Sequence, residues 1–213
     1  MRHALMALVG IALAHAPADG QVLDRILASV GGRVVTLSDV RAAHDLRLVD
    51  VGSGADQTRA VLDRLIDRLL VLDEVERYAP PEPEERVIAQ RVEEIRSTFD
   101  SPDAFRAAMR ASGWSETGLR SWVRNDLRIR AYLEQRFAGV IEPTGEDLEN
   151  YVREITAELR RTNKPVDEAE VRRLARERAV SVRRQALIRE WVDGLRRRAT
   201  ITYTQSANRA NQR

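Results

Sequence analysis

The sequence predicts a mainly α protein with one small β-sheet, and three observations carry that prediction. A short hairpin is written over residues 26–36, a short strand over residues 199–203, and almost everything between follows helical spacing. Two ends that pair across a helical middle make one cooperative unit, so residues 21–204 are expected to form a single domain.

The hairpin reads Ile26-Leu27-Ala28-Ser29-Val30, then Gly31-Gly32, then Arg33-Val34-Val35-Thr36. Gly31 and Gly32 supply the positive φ angles of a tight hairpin turn. A two-stranded ribbon is marginal in water and needs cover. Thr200-Ile201-Thr202-Tyr203 is the later stretch with β-branched and aromatic enrichment, and it is expected to complete the sheet.

Thr36-Leu37-Ser38-Asp39 offers capping hydroxyls and a first-turn acid, which predicts a helix running to about Val49 before Gly52-Ser53-Gly54 breaks it. Over residues 58–78, Val61, Leu62, Leu65, Ile66, Leu69, Leu72 and Val75 recur at helical spacing and mark the strongest amphipathic helix. Pro80-Pro81-Glu82-Pro83 is a stiff connector, after which Glu84 and Glu85 favour a helix start. A short helix opens at Ser101-Pro102 and closes at Gly113. The next starts at Ser115-Glu116 and runs to Phe137.

In that helix Leu119, Val123, Leu127 and Ala131 form one stripe, and Trp122, Ile129, Leu133 and Phe137 form its neighbour. Together they cover roughly 200° of the circumference, too much for one partner helix, so the element is central or lines a groove. Ile141-Glu142-Pro143-Thr144 leads into a helix over residues 145–161. A long helix then spans residues 167–198, about 48 Å at the usual rise. Its apolar stripe changes sides, from Val171, Leu174, Ala175, Val182 and Ala186 to Leu187, Ile188, Trp191, Val192 and Leu195, which predicts packing against two bodies or a kink. Residues 205–213 read as a polar tail.

Composition narrows the function. The 213 residues are 43% hydrophobic, enough to bury a sizeable core. Lys164 is the sole lysine, so the basic character is arginine, but the formal net charge is only +2, which argues against a nucleic-acid partner. Met1-Arg2-His3, the apolar run from Ala4 to Ala14 and Ala16-Pro17-Ala18 have the layout of a secretory signal peptide over residues 1–20, so export is expected. That run is too short to span a bilayer. With no cysteine, disulfides and thiol chemistry are excluded.

Catalytic patterns are weak. His44 is the lone histidine outside the predicted signal peptide and reads as a helix-surface residue. Neither a nucleotide loop nor a G-x-S-x-G elbow occurs, and no cofactor is expected. Adjacent acids such as Glu84-Glu85, Glu93-Glu94 and Asp73-Glu74 lie among arginines and read as solvated ion-pair faces. The arginine clusters of the long helix are interleaved with acids and read likewise. Phe105, Met109, Trp114, Trp122, Ile129, Tyr132 and Phe137 concentrate in the middle helices. They read either as ordinary core or as a partly exposed apolar groove that holds another chain.

Several segments, in order, resemble one family. Residues 22–40, with Ala28-Ser29-Val30-Gly31-Gly32-Arg33-Val34-Val35 and Ser38-Asp39-Val40, resemble the hairpin-to-helix entry of SurA-type periplasmic chaperones. Leu62-Asp63-Arg64-Leu65-Ile66, Gly113-Trp114-Ser115, Leu119-Arg120, Ile141-Glu142-Pro143-Thr144 and the closing run from Ile188 to Ile201 are similar to later segments of that family. The resemblance implies a SurA/trigger-factor-like helical core acting as an ATP-independent holdase for unfolded outer-membrane or exported polypeptides. A homodimer is compatible with it. The alternative is an envelope scaffold using the same fold for one dedicated partner. Family members usually insert parvulin prolyl isomerase domains before the last helix, where this chain has only the loop over residues 162–166. No isomerase or other enzymatic activity is therefore expected.

Overall fold

In a computed structural model, residues 24–52, 56–139, 143–163, 165 and 167–204 are described. The expected signal peptide, the polar tail, Ser53-Gly54 and Ile141-Glu142 lie outside the described residues. β1 (Ile26–Val30) and β2 (Arg33–Thr36) form the hairpin. Gly31 at φ 56° and Gly32 at φ 87° both take positive φ, as a primed turn requires. β3 (Ile201–Tyr203) pairs antiparallel with β1, Val30 opposite Ile201 and Ala28 opposite Tyr203, giving the order β2-β1-β3. The middle strand is the buried one: Leu27, Ala28 and Val30 are sealed from solvent. β3 is shorter than the sequence predicts because Ala199 serves as the cap of the preceding helix.

α1 (Leu37–Asp45) begins at a capping box. The Thr36 hydroxyl accepts from the Asp39 N–H at 3.2 Å, and the Asp39 carboxylate accepts from the Thr36 N–H at 2.9 Å. It stops at Asp45 rather than near Val49. Arg47 turns to φ 55°, bonds the carbonyl of Thr98 and lies 4.9 Å from the Phe99 ring centre. That long-range contact ends the helix earlier than its periodicity does.

α2 (Gln57–Tyr78), α3 (Glu85–Ser97), α4 (Pro102–Ser112), α5 (Glu116–Arg136), α6 (Gly145–Arg161) and α7 (Glu168–Arg198) follow. Asp56, Ser101, Ser115, Thr144 and Asp167 each cap a helix by accepting a first-turn N–H. α4 also carries Pro102 in its first turn and ends on Gly113 at φ 73°.

Two apolar clusters hold these elements. One joins the sheet, α2, the C-terminal half of α5 and the end of α7, around Val30, Leu62, Ile66 and Val75. The other joins α1, α3, α4 and the N-terminal half of α5, around Leu46, Ile88, Leu119 and Val123. Trp122 packs against both, so of the two places its wide apolar face predicts, central or lining a groove, α5 takes the central one. α7 does meet two bodies. Its first half packs on α6 and buries Val171, Ala175 and Ala179. Its end packs on α2, where Arg196 donates to the Asp63 carbonyl at 2.8 Å and pairs with Asp67. Val182, grouped by spacing with Val171, is exposed instead, in the span between the two packed ends. Among the described residues no helix is long and apolar enough to cross a membrane.

Candidate functional site

The loop from α4 to α5 places the residue on which the site turns. Ser112 is buried, its hydroxyl donates to the Met109 carbonyl at 3.0 Å, and it accepts from the Trp114 N–H at 3.4 Å. Gly113, in the left-handed region, swings the chain so that Trp114 turns back toward Trp122, with ring centres 5.7 Å apart. Trp114 thereby becomes a shared wall between two open recesses.

The first recess, about 440 Å³, is lined by Pro102, Phe105, Met109 and Trp114, with Arg96, Arg106, Arg110 and Glu116 around it. Phe105 is fixed edge-on to Phe99 at 5.4 Å and lies under the Arg96 guanidinium at 5.2 Å. The second, about 210 Å³, lies between β2, α2 and α5 and is walled by Val34, Val35, Leu65, Leu69, Leu72, Trp114 and Trp122. Asp39, Arg68 and Asn125 supply its polar groups. Arg68 stacks 3.7 Å from the Trp122 ring centre, donates to the Trp122 carbonyl at 2.8 Å and pairs with Asp126 at 3.2 Å. Burial pulls its pKa down to about 10, against the opposing pull of Asp126.

The seven residues grouped in the sequence do not line one groove. Phe105, Met109, Trp114 and Trp122 meet at the two recesses. Ile129 and Tyr132 are buried in the first core, Tyr132 stacked on Tyr78 at 5.7 Å. Phe137 packs against Trp191 at 5.8 Å. The cause is the turn of α5: a stripe longer than one partner passes from one core to the other. Gly31 and Gly32 stand at the hairpin turn. The sequence marks Val34 as strand and Leu69 and Leu72 as a helix face, but does not mark them or Arg68 as lining a site, though one signal is present. Val34 and Val35 are consecutive in a strand, so one of two apolar side chains has to face outward.

The adjacent acids each have an arginine: Glu84 with Arg86, Glu85 with Arg120 and Arg124, Glu93 with Arg96, Glu94 with Arg91, Asp73 with Arg33 and Glu74 with Arg77. Hydrogen bonding from Arg120 lowers the Glu85 pKa. His44 lies in an open polar cleft with Arg25, Arg41, Asp45, Asp56 and Gln57, its ring bonded to Asp45 at 2.9 Å and Gln57 at 3.2 Å. Among the described residues no cluster of histidine and acidic side chains could hold a metal ion.

No protein-family model and no curated protein matches this chain. Its fold is similar to a solved structure from Campylobacter jejuni, where the virulence factor PEB4 and the periplasmic protein Cj1289 are two structurally related SurA-like chaperones. The TM-score is 0.50 at 12% identity, over 85% of this chain and 99% of that one. The likeness bears out the SurA-like helical core with its small sheet.

Proposed function

We propose that the chain is an ATP-independent holdase of the periplasm, binding unfolded outer-membrane or exported polypeptides at the apolar surface around Trp114. The observation that supports this reading most is the pair of open apolar recesses sharing the Trp114 wall, on a SurA-like fold. Recesses of this kind offer many weak apolar contacts without a demand for one shape, which suits clients that differ in sequence. Binding and release, not bond chemistry, is the activity proposed. Prolyl isomerisation is left out of it, because residues 162–167 between α6 and α7 leave no room for an isomerase domain. The signal-peptide-like start supports a periplasmic address.

The test dilutes a urea-unfolded outer-membrane barrel protein into buffer without nucleotide, with and without the purified chain from Gln21 onward. The expected result is loss of light scattering at near-stoichiometric amounts, for that client and for unrelated unfolded chains. Undiminished scattering at several-fold excess would overturn the holdase reading in favour of a scaffold with one dedicated partner.

A further inference from the structure

β2 has a strand partner on one side. It pairs with β1, and the order β2-β1-β3 leaves its other edge unpaired among the described residues. Such an edge presents backbone donors and acceptors that an extended chain can satisfy and a helix cannot; in β2 they lie ahead of Thr36, whose N–H is already held by the Asp39 carboxylate. The edge opens on the smaller recess. Val34 and Val35 are consecutive, so their side chains leave opposite faces of the strand, yet both line that one recess. A hollow confined to one face would meet only one of them, so this hollow follows the edge itself.

Size and charge narrow the occupant. At about 210 Å³ the recess falls short of a small-molecule site, ordinarily ~300–1,000 Å³, and suits a single large side chain. Its ions are already engaged, Arg68 by Asp126 and the Trp122 carbonyl, Asp39 by the cap at Thr36. What remains to be met is the neutral Asn125 amide and an apolar wall: Leu69, Leu72, the two tryptophans, and Val34, which stands 49% exposed. Charge complementarity therefore selects a neutral side chain.

We infer that the free edge of β2 is a strand-addition site, where an extended segment of an unfolded polypeptide pairs with β2 and lodges one large apolar side chain against Trp114 and Trp122. The inference rests on the holdase reading and narrows it. Backbone pairing supplies affinity for any sequence, and the recess supplies preference for a segment with an aromatic or branched aliphatic residue.

The test uses fluorescence anisotropy with the purified chain and a short fluorescein-labelled peptide of alternating threonine and valine around one phenylalanine. Companion peptides carry N-methyl groups on one or the other alternate set of backbone nitrogens, or serine in place of the phenylalanine. One of the two methylated sets, and the serine peptide, are expected to bind about tenfold more weakly, the loss of roughly one net hydrogen bond or apolar anchor. Val34→Lys, which places an ammonium at the recess, is expected to weaken the parent peptide similarly, with an unchanged melting curve confirming the fold.

Equal binding of both methylated sets would overturn the inference. So would a Val34→Lys variant that turns a dimer into a monomer without changing peptide affinity, since the edge would then belong to a second copy. The light-scattering assay run beside it separates the two readings. Suppression with no effect of methylation sinks the edge site alone, and methylation-sensitive binding without suppression sinks the holdase alone.

Discussion

Arg68 fastens α2 to α5 from a position with little access to water. Its guanidinium meets a carbonyl, a carboxylate and an indole face together, a set that the planar fork of arginine can satisfy and an ammonium cannot. Arg68→Ala is expected to cost about 2 kcal/mol in urea unfolding, below the usual figure for a buried pair because Asp126 keeps Arg130 at 2.9 Å. Arg68→Lys is expected to recover less than half of it. His44 carries a second prediction. Its bond to Asp45 raises the imidazole pKa above 6.5, with burial opposing and Gln57 assisting. A raised folded pKa contributes stability that is fully present below pH 6.5 and fades as pH climbs through the folded value. NMR titration of the His44 ring should give a midpoint above 6.5 that falls in Asp45→Asn, and the stability gap between the two proteins should close at alkaline pH.

The hairpin shows how far an element can be read from its own residues. Gly-Gly between two apolar runs names the turn, and the positive φ of both glycines is what the turn demands. A Cβ on Gly32 meets nothing within 4 Å, so Gly32→Ala tests the backbone alone and should cost about 1 kcal/mol in thermal or urea unfolding. The helices were legible for the same reason, because caps such as Ser101 and Ser115 are local chemistry. The end of α1 was not, because it depends on Arg47 reaching Thr98 and Phe99, far along the chain. The site was half legible. Periodicity marks the apolar side of α5 but not which partner each turn meets, so Ile129 and Tyr132 could not be separated from Trp122 without the fold. The recess at β2 depends on α2, α5 and the strand edge coming together, which no single stretch of sequence encodes.

At the scale of the molecule, the two clusters share α5 and are tied at Trp122, while α6 and the first half of α7 extend from them as a helical hairpin. α6 buries no residue fully, and Ile155, Leu159 and Leu174 line an open cleft of about 420 Å³ on that hairpin. Small residues, Ala175 and Ala179, let the two helices approach, so the hairpin is held by a thin seam while α7 is anchored at its other end by Arg196. Stability should therefore be uneven. Amide hydrogen exchange is expected to be fastest, among the helices, in α6 and the first half of α7, and slowest in β1 and α2. Equal protection of α6 and α2 would show that the hairpin is as firmly held as the core.

The claim that unfolded chains are received around Trp114 is tested most directly by placing a photoreactive benzoylphenylalanine at Met109, inside the larger recess, and at the exposed Arg153 on α6. On illumination with an unfolded client, position 109 is expected to crosslink strongly, the crosslink disappearing when the same client is folded, and position 153 only weakly. Equal crosslinking from both positions, or none from position 109 while light scattering is still suppressed, would place the receiving surface elsewhere than Trp114.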